Sequence, residues 1–117
     1  MKRLILLSLF LMSVTFAFAD EYNVICIYEK QQVKYGVKAI DNFDNIQEVS
    51  YLLVPTKVDE GTYSVLLTRK DTNLYKIEGT DLYIETQFCF EICIMEEAVL
   101  VIHNYGDLSF GTVIFED

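Results

Sequence analysis

From Tyr22 onward the chain alternates apolar and polar side chains in short runs, the period of a half-buried strand rather than of a helix. Tyr22-Asn-Val-Ile-Cys-Ile-Tyr28 opens the series, and residues 33–40, interrupted by Gly36, continue it. Asp41-Asn-Phe-Asp-Asn45 is turn chemistry, because short Asx side chains bond nearby backbone and tolerate left-handed conformations. Residues 48–54 read as a third strand, ended by Pro55, which has no N–H to offer a ladder. A helix competes there, since Phe43, Ile46, Val49 and Leu53 fall near helical spacing, but the β-branched residues and Tyr51 favour a strand. After the turn Asp59-Glu60-Gly61, residues 62–69 form a fourth strand with Tyr63, Val65 and Leu67 on one face.

Lys70-Asp-Thr-Asn73 turns the chain into residues 74–78, and Gly79-Thr80 fits a two-residue type II′ hairpin loop. In that register Tyr75 faces Ile84 and Ile77 faces Leu82, pairing apolar residues across the ladder. A long strand is then expected over 82–94. Leu82, Ile84, Phe88, Phe90, Ile92 and Ile94 would share its core face, broken only by Thr86, with Cys89, Glu91 and Cys93 on the opposite face. Residues 98–104 and 110–116 complete a meander of about eight strands. The expected fold is all-β, a small antiparallel sandwich or partly open barrel.

The N-terminal 19 residues break this pattern. Lys2 and Arg3 precede an apolar run over 4–16, and Ala17-Phe-Ala19 supplies the small residues a signal peptidase reads. Residues 1–19 are therefore expected to be a cleaved signal peptide, leaving residues 20–117 as one β-rich domain exported to a periplasm or secreted. Cys26 is too far past Ala19 to take a lipid anchor, so no stable membrane insertion is expected after cleavage. No Asn-x-Ser/Thr acceptor occurs, which points to a bacterial source.

Loss of Lys2 and Arg3 carries the formal charge of the chain from −9 to −11. The carboxylates are scattered rather than blocked, as on a solvated surface, and such a field repels nucleic acid and anionic lipid. Tyr28, Tyr35, Tyr51, Tyr63, Tyr83 and Tyr105 supply amphipathic rings suited to a binding surface.

The sharpest chemical constellation is Cys89, Glu91 and His103. If Met95-Glu96-Glu97 is a hairpin loop, Phe90 faces Ile102 and Cys89 faces His103, with Glu91 alongside on the same face. A thiol opposite an imidazole can form a thiolate–imidazolium pair, which a carboxylate would orient. Cys89, Cys93, His103 and Glu91 are ligand types that zinc accepts, but Cys89 and Cys93 in a continuous strand stand about 13 Å apart, so no metal site is expected. That separation also disfavours a Cys89–Cys93 disulfide, since bridged Cα atoms lie within about 7 Å. Cys26 with Cys89 or with Cys93, or three free thiols, remain open in an oxidising compartment. Asp41, Asn42, Asp44 and Asn45 lack the spacing of a calcium loop. With no phosphate loop, nucleophile elbow or His-Glu-x-x-His motif, no cofactor is expected.

Leu74-Tyr-Lys-Ile77, Tyr83-Ile-Glu-Thr-Gln-Phe-Cys-Phe-Glu91, Glu97-Ala-Val-Leu100 and Gly111-Thr-Val-Ile-Phe115 form a pattern covering under half of the expected mature domain. It resembles a group of small, functionally uncharacterised exported bacterial proteins. This chain departs from the group at Gln87, where an aromatic or Arg is usual, and at Ile92 and Ile94, which replace aromatic residues. The resemblance implies a strand-rich exported domain and no activity. The residues together point to an acidic binding or accessory module, an inhibitor being one form, whose partner is a protein or small ligand. The alternative is a small enzyme using Cys89 and His103.

Overall fold

The computed structural model describes residues 20–115; the expected signal segment and Glu116, the end of the expected last strand, lie outside the described residues. Nine strands follow in order: β1 (Asp20–Gln32), β2 (Lys38–Ile40), β3 (Ile46–Glu48), β4 (Tyr51–Pro55), β5 (Gly61–Asp71), β6 (Leu74–Ile77), β7 (Leu82–Gln87), β8 (Glu96–Tyr105) and β9 (Leu108–Phe115). Seven form an antiparallel sheet in the order β4-β1-β7-β6-β5-β8-β9, and β9 pairs back onto β1. Six strands thus close a barrel and β4 is appended to it. The fold is all-β, as the alternation predicts. β2 and β3 make a separate hairpin.

Closure depends on β1, which pairs with β9 through Asp20–Val24 and with β4 through Tyr28–Gln32, while its other edge pairs with β7. A register shift between Val24 and Cys26 makes Ile25 the extra residue of a bulge. A bulge bends a strand and resets its alternation. Val24 and Ile27, three apart, therefore both point inward and are buried. They join Leu67, Tyr75, Ile84, Leu100, Ile102, Val113 and Phe115 in one core. Gly111 lies opposite Ile102 on β8 and Val24 on β1, and a Cβ built there would fall 1.8 Å from the Val101 carbonyl oxygen. Only glycine permits that approach of backbones.

The β6–β7 ladder has the expected register, with Tyr75 opposite Ile84. Its reversal differs in detail. Thr80 N–H donates to the Ile77 carbonyl at 3.2 Å, so the chain turns over Glu78-Gly79, with Gly79 at φ 83°. Thr80 Oγ1 then accepts from Leu82 N–H at 3.0 Å and restores the register.

Three expected strands are corrected. Of 33–40 only Lys38–Ile40 is strand, because the chain turns at Tyr35-Gly36, with Gly36 at φ 89°. The third splits into β3 and β4, since Val49-Ser50 is where the chain leaves the β2–β3 hairpin for the edge of β1. The long strand ends at Gln87. Phe88 is left-handed at φ 57°, and residues 88–95 cross the barrel end as a strap closed by Met95 at φ 53°.

The strap inverts the expected faces. Cys89 and Cys93 are 0% and 4% exposed, whereas Phe88, Phe90, Ile92 and Ile94 are 73–81% exposed. The period of two is real, but the left-handed residue exchanges inside for outside. Tyr75 and Phe115 already fill that end of the barrel, with ring centroids 5.9 Å apart, and leave room for thiols rather than for phenyl groups. Phe115→Ala should therefore destabilise the domain by about 3–5 kcal/mol, the usual cost of emptying a large buried site. Phe90→Ala should change stability by about half a kcal/mol. Denaturant midpoints of the two variants check the assignment.

Candidate functional site

Cys89, Glu91 and His103 do not converge. β8 pairs with β5 and β9, not with 88–95, so the expected register of Cys89 against His103 is wrong. His103 is exposed opposite Phe110, with ring centroids 6.0 Å apart. Cys89 is buried at the barrel end, where its sulfur lies 3.2 Å from the Tyr75 hydroxyl.

Local chemistry explains that placement. Asn73, left-handed at φ 58°, accepts from Cys89 N–H through Oδ1 at 2.9 Å and from Thr86 N–H through its carbonyl at 2.7 Å. Thr86, the polar interruption of the core face, also donates its hydroxyl to Asn73 at 3.3 Å. The buried Tyr75 hydroxyl donates to the Glu91 carbonyl, and Tyr22 donates to Glu91 Oε2 at 2.8 Å. Cys93 donates to the Leu67 carbonyl at 3.4 Å and accepts Arg69 N–H on its own carbonyl at 3.0 Å. These groups anchor the strap.

All three cysteines are free. Cys26 stands opposite Glu85 on the outer face of β1, while Cys89 and Cys93 point inside. Residues 88–95 are not a strand, so the extended-chain distance between Cys89 and Cys93 does not apply to them. Among the described residues no group of three His, Cys, Asp or Glu is placed to hold a metal. The Asp41 cluster is a turn: Asp41 Oδ1 accepts from Phe43 N–H at 2.8 Å and from Asn45 N–H at 3.0 Å. Those bonds lower the Asp41 pKa. The tyrosines disperse as well. Tyr28 is bound to Glu85, Tyr63 donates to the Asp59 carbonyl at 2.6 Å, and Tyr51 lies under the Lys30 ammonium at 4.9 Å.

What the structure does assemble is a cavity of about 710 Å³ through the barrel wall between β5 and the β6–β7 turn. Ile27, Val58, Tyr63, Val65, Ile77, Leu82, Leu100 and Ile102 supply its apolar wall, and Glu78, Thr80 and Glu97 stand at its rim. Val58 is held there by three bonds to the β8–β9 hairpin. Its N–H donates to Ser109 Oγ at 2.8 Å, and its carbonyl accepts from Asn104 Nδ2 at 2.9 Å and Ser109 Oγ at 3.2 Å. The volume falls within the roughly 300–1,000 Å³ of small-molecule clefts. Sequence reasoning missed this site because it is made of spaces between strands. The one usable signal was the difference in length between the fourth and fifth runs.

Comparisons with protein-family models, with curated proteins and with solved structures find no match to the chain.

Two outcomes test the strap. Burial, with the nearby Glu96 carboxylate, raises the Cys93 pKa. Native protein should be alkylated at Cys26 alone, with Cys89 and Cys93 reacting only on unfolding. His103→Ala should leave those rates unchanged, as mass-resolved labelling will read. At Glu91 the Tyr22 bond favours the ionised form, but desolvation and the nearby Asp20 and Glu96 carboxylates prevail and raise the pKa. The folded state thus holds this proton more tightly than the unfolded one. Its contribution is complete below the unfolded pKa and is lost as pH rises through the folded one. Glu91→Gln keeps the acceptor for Tyr22 without a charge, so its stability should fall less than that of the parent as pH rises across this range. Denaturation over a pH series measures the two slopes.

Proposed function

We propose that this protein is an exported acidic binding module that holds its ligand in the β5 cavity, with no catalytic step of its own. The observation that carries the reading is the cavity itself, an apolar concavity reaching the barrel core with two carboxylates at its mouth. Clefts of this kind gain affinity from buried apolar surface, and a few polar groups fix orientation. The charge, −9 for the whole chain and more negative without residues 1–19, weighs against nucleic acid as a partner. An accessory or inhibitory role in a periplasm or outside the cell suits an exported chain of this size. The Cys89–His103 enzyme has no geometric support.

Nile red, a neutral apolar dye, tests the site by its emission gain on leaving water. Val65→Trp fills the cavity and should weaken dye binding at least tenfold while the denaturant midpoint stays near that of the parent. Phe90→Ser, on the outer side of the strap, should leave it unchanged. Dye binding that follows Phe90 rather than Val65 would move the site to the strap and defeat this reading.

A further inference from the structure

β5 is paired on both edges over only part of its length. β8 covers Gly61–Leu67 on one edge, and β6 covers only Leu67–Asp71 on the other. Glu78 N–H donates to the Leu66 carbonyl at 2.8 Å, so the backbone groups of Leu66 point toward β6. Backbone polarity alternates along an antiparallel strand. The N–H and C=O of Thr62 and Ser64 therefore point into the gap, where no neighbouring strand meets them among the described residues. Between them Tyr63 and Val65 face the cavity. An unpaired edge beside an apolar pocket is the arrangement by which extended peptides are captured, with backbone bonds giving affinity and alternate side chains giving specificity.

Resting on the cavity being the binding site, we infer that its ligand is an extended peptide segment of basic character that adds as a strand to β5 and sets apolar side chains into the cavity. Residues of the incoming strand opposite Tyr63 and Val65 share their face of the ladder and enter the cavity. The neighbouring positions point outward, past Glu97, which lies opposite Leu66 on β8, and toward Glu78. Lys76 is 3.9 Å from Glu78 and offsets part of its charge, while among the described residues no lysine or arginine lines the opening. This charge also selects against a second copy of the chain. Two edges meeting across a dyad would bring both pairs of carboxylates together on two strongly acidic chains.

The probe is a capped hexapeptide of alternating lysine with valine and leucine, against its glutamate counterpart, in competition with Nile red on the protein recovered after export. The lysine peptide should displace the dye, and the glutamate peptide should bind at least tenfold more weakly at low salt, a difference that narrows in molar salt. Methylation of the peptide amides that face β5 should abolish binding, whereas methylation of the alternate amides should leave it. Ser64→Pro removes only an edge-facing N–H and spares the β8 ladder. It should weaken the peptide at least tenfold more than it weakens the dye. Dye binding with no displacement by either peptide would overturn the peptide inference and leave the cavity reading standing. Dye binding that is insensitive to Val65→Trp would end both. A sedimentation dimer that Ser64→Pro splits would assign the edge to a second copy instead.

Discussion

The rest of the structure depends on the stagger of β5, an eleven-residue strand between partners that each cover only part of it. Closing a sheet into a barrel requires such a stagger, and it leaves half of each edge of a long strand without its neighbour. At the C-terminal half the missing neighbour is β8, and the strap replaces it. Cys93 O accepts Arg69 N–H, and Met95 N–H donates to Thr68 Oγ1 at 2.9 Å. At the N-terminal half the missing neighbour is β6, and nothing among the described residues replaces it. One end of the barrel is plugged, and the opposite half of the same strand opens to the core.

The plug shows how a local conformation overrides a pattern. Residues 82–94 alternate cleanly, and the first half of the run keeps its faces: Ile84 and Thr86 are buried as the period requires. Asn73 then bonds both Thr86 and Cys89, and Phe88 takes the left-handed conformation between those contacts. Every side chain beyond it changes sides. A left-handed phenylalanine costs on the order of 1–3 kcal/mol and persists only where its surroundings impose it. Here the Asn73 bonds and the burial of two thiols beside Tyr75 do so. The composition of the run gave no warning, because the residue that decides its phase lies fifteen positions upstream, from Phe88 back to Asn73.

The same reasoning separates what was legible in the chain from what was not. The β6–β7 register was legible, because a short glycine turn leaves one way to pair Tyr75 with Ile84. The inward face of β5 was legible too, with Leu67 buried and Tyr63 and Val65 packed on the core. Pairings between strands distant in sequence were not. The contact of β5 with β8 and the closure of β1 onto β9 are set by barrel geometry and by the bulge at Ile25. Pairing residues 88–94 with β8 would set Cys89 against His103, a site that exists only in a hairpin the chain does not form. The cavity was invisible for a related reason: its walls come from β1, β5, β6, β7 and β8 and the segment after β4.

Open strand edges are hazardous, and proteins blunt them with proline, with charges on the strand, or by burying them. Two of the open edges among the described residues are treated differently. β4, the outer strand of the sheet, is short and ends in Pro55. The open half of β5 carries Thr62 and Ser64 at its unpaired positions, small side chains that leave the backbone accessible. Its carboxylates, Glu78 and Glu97, stand on neighbouring elements instead. Charges placed on the strand would repel any incoming chain. Charges placed beside it repel acidic chains and admit basic ones, which is selection rather than protection.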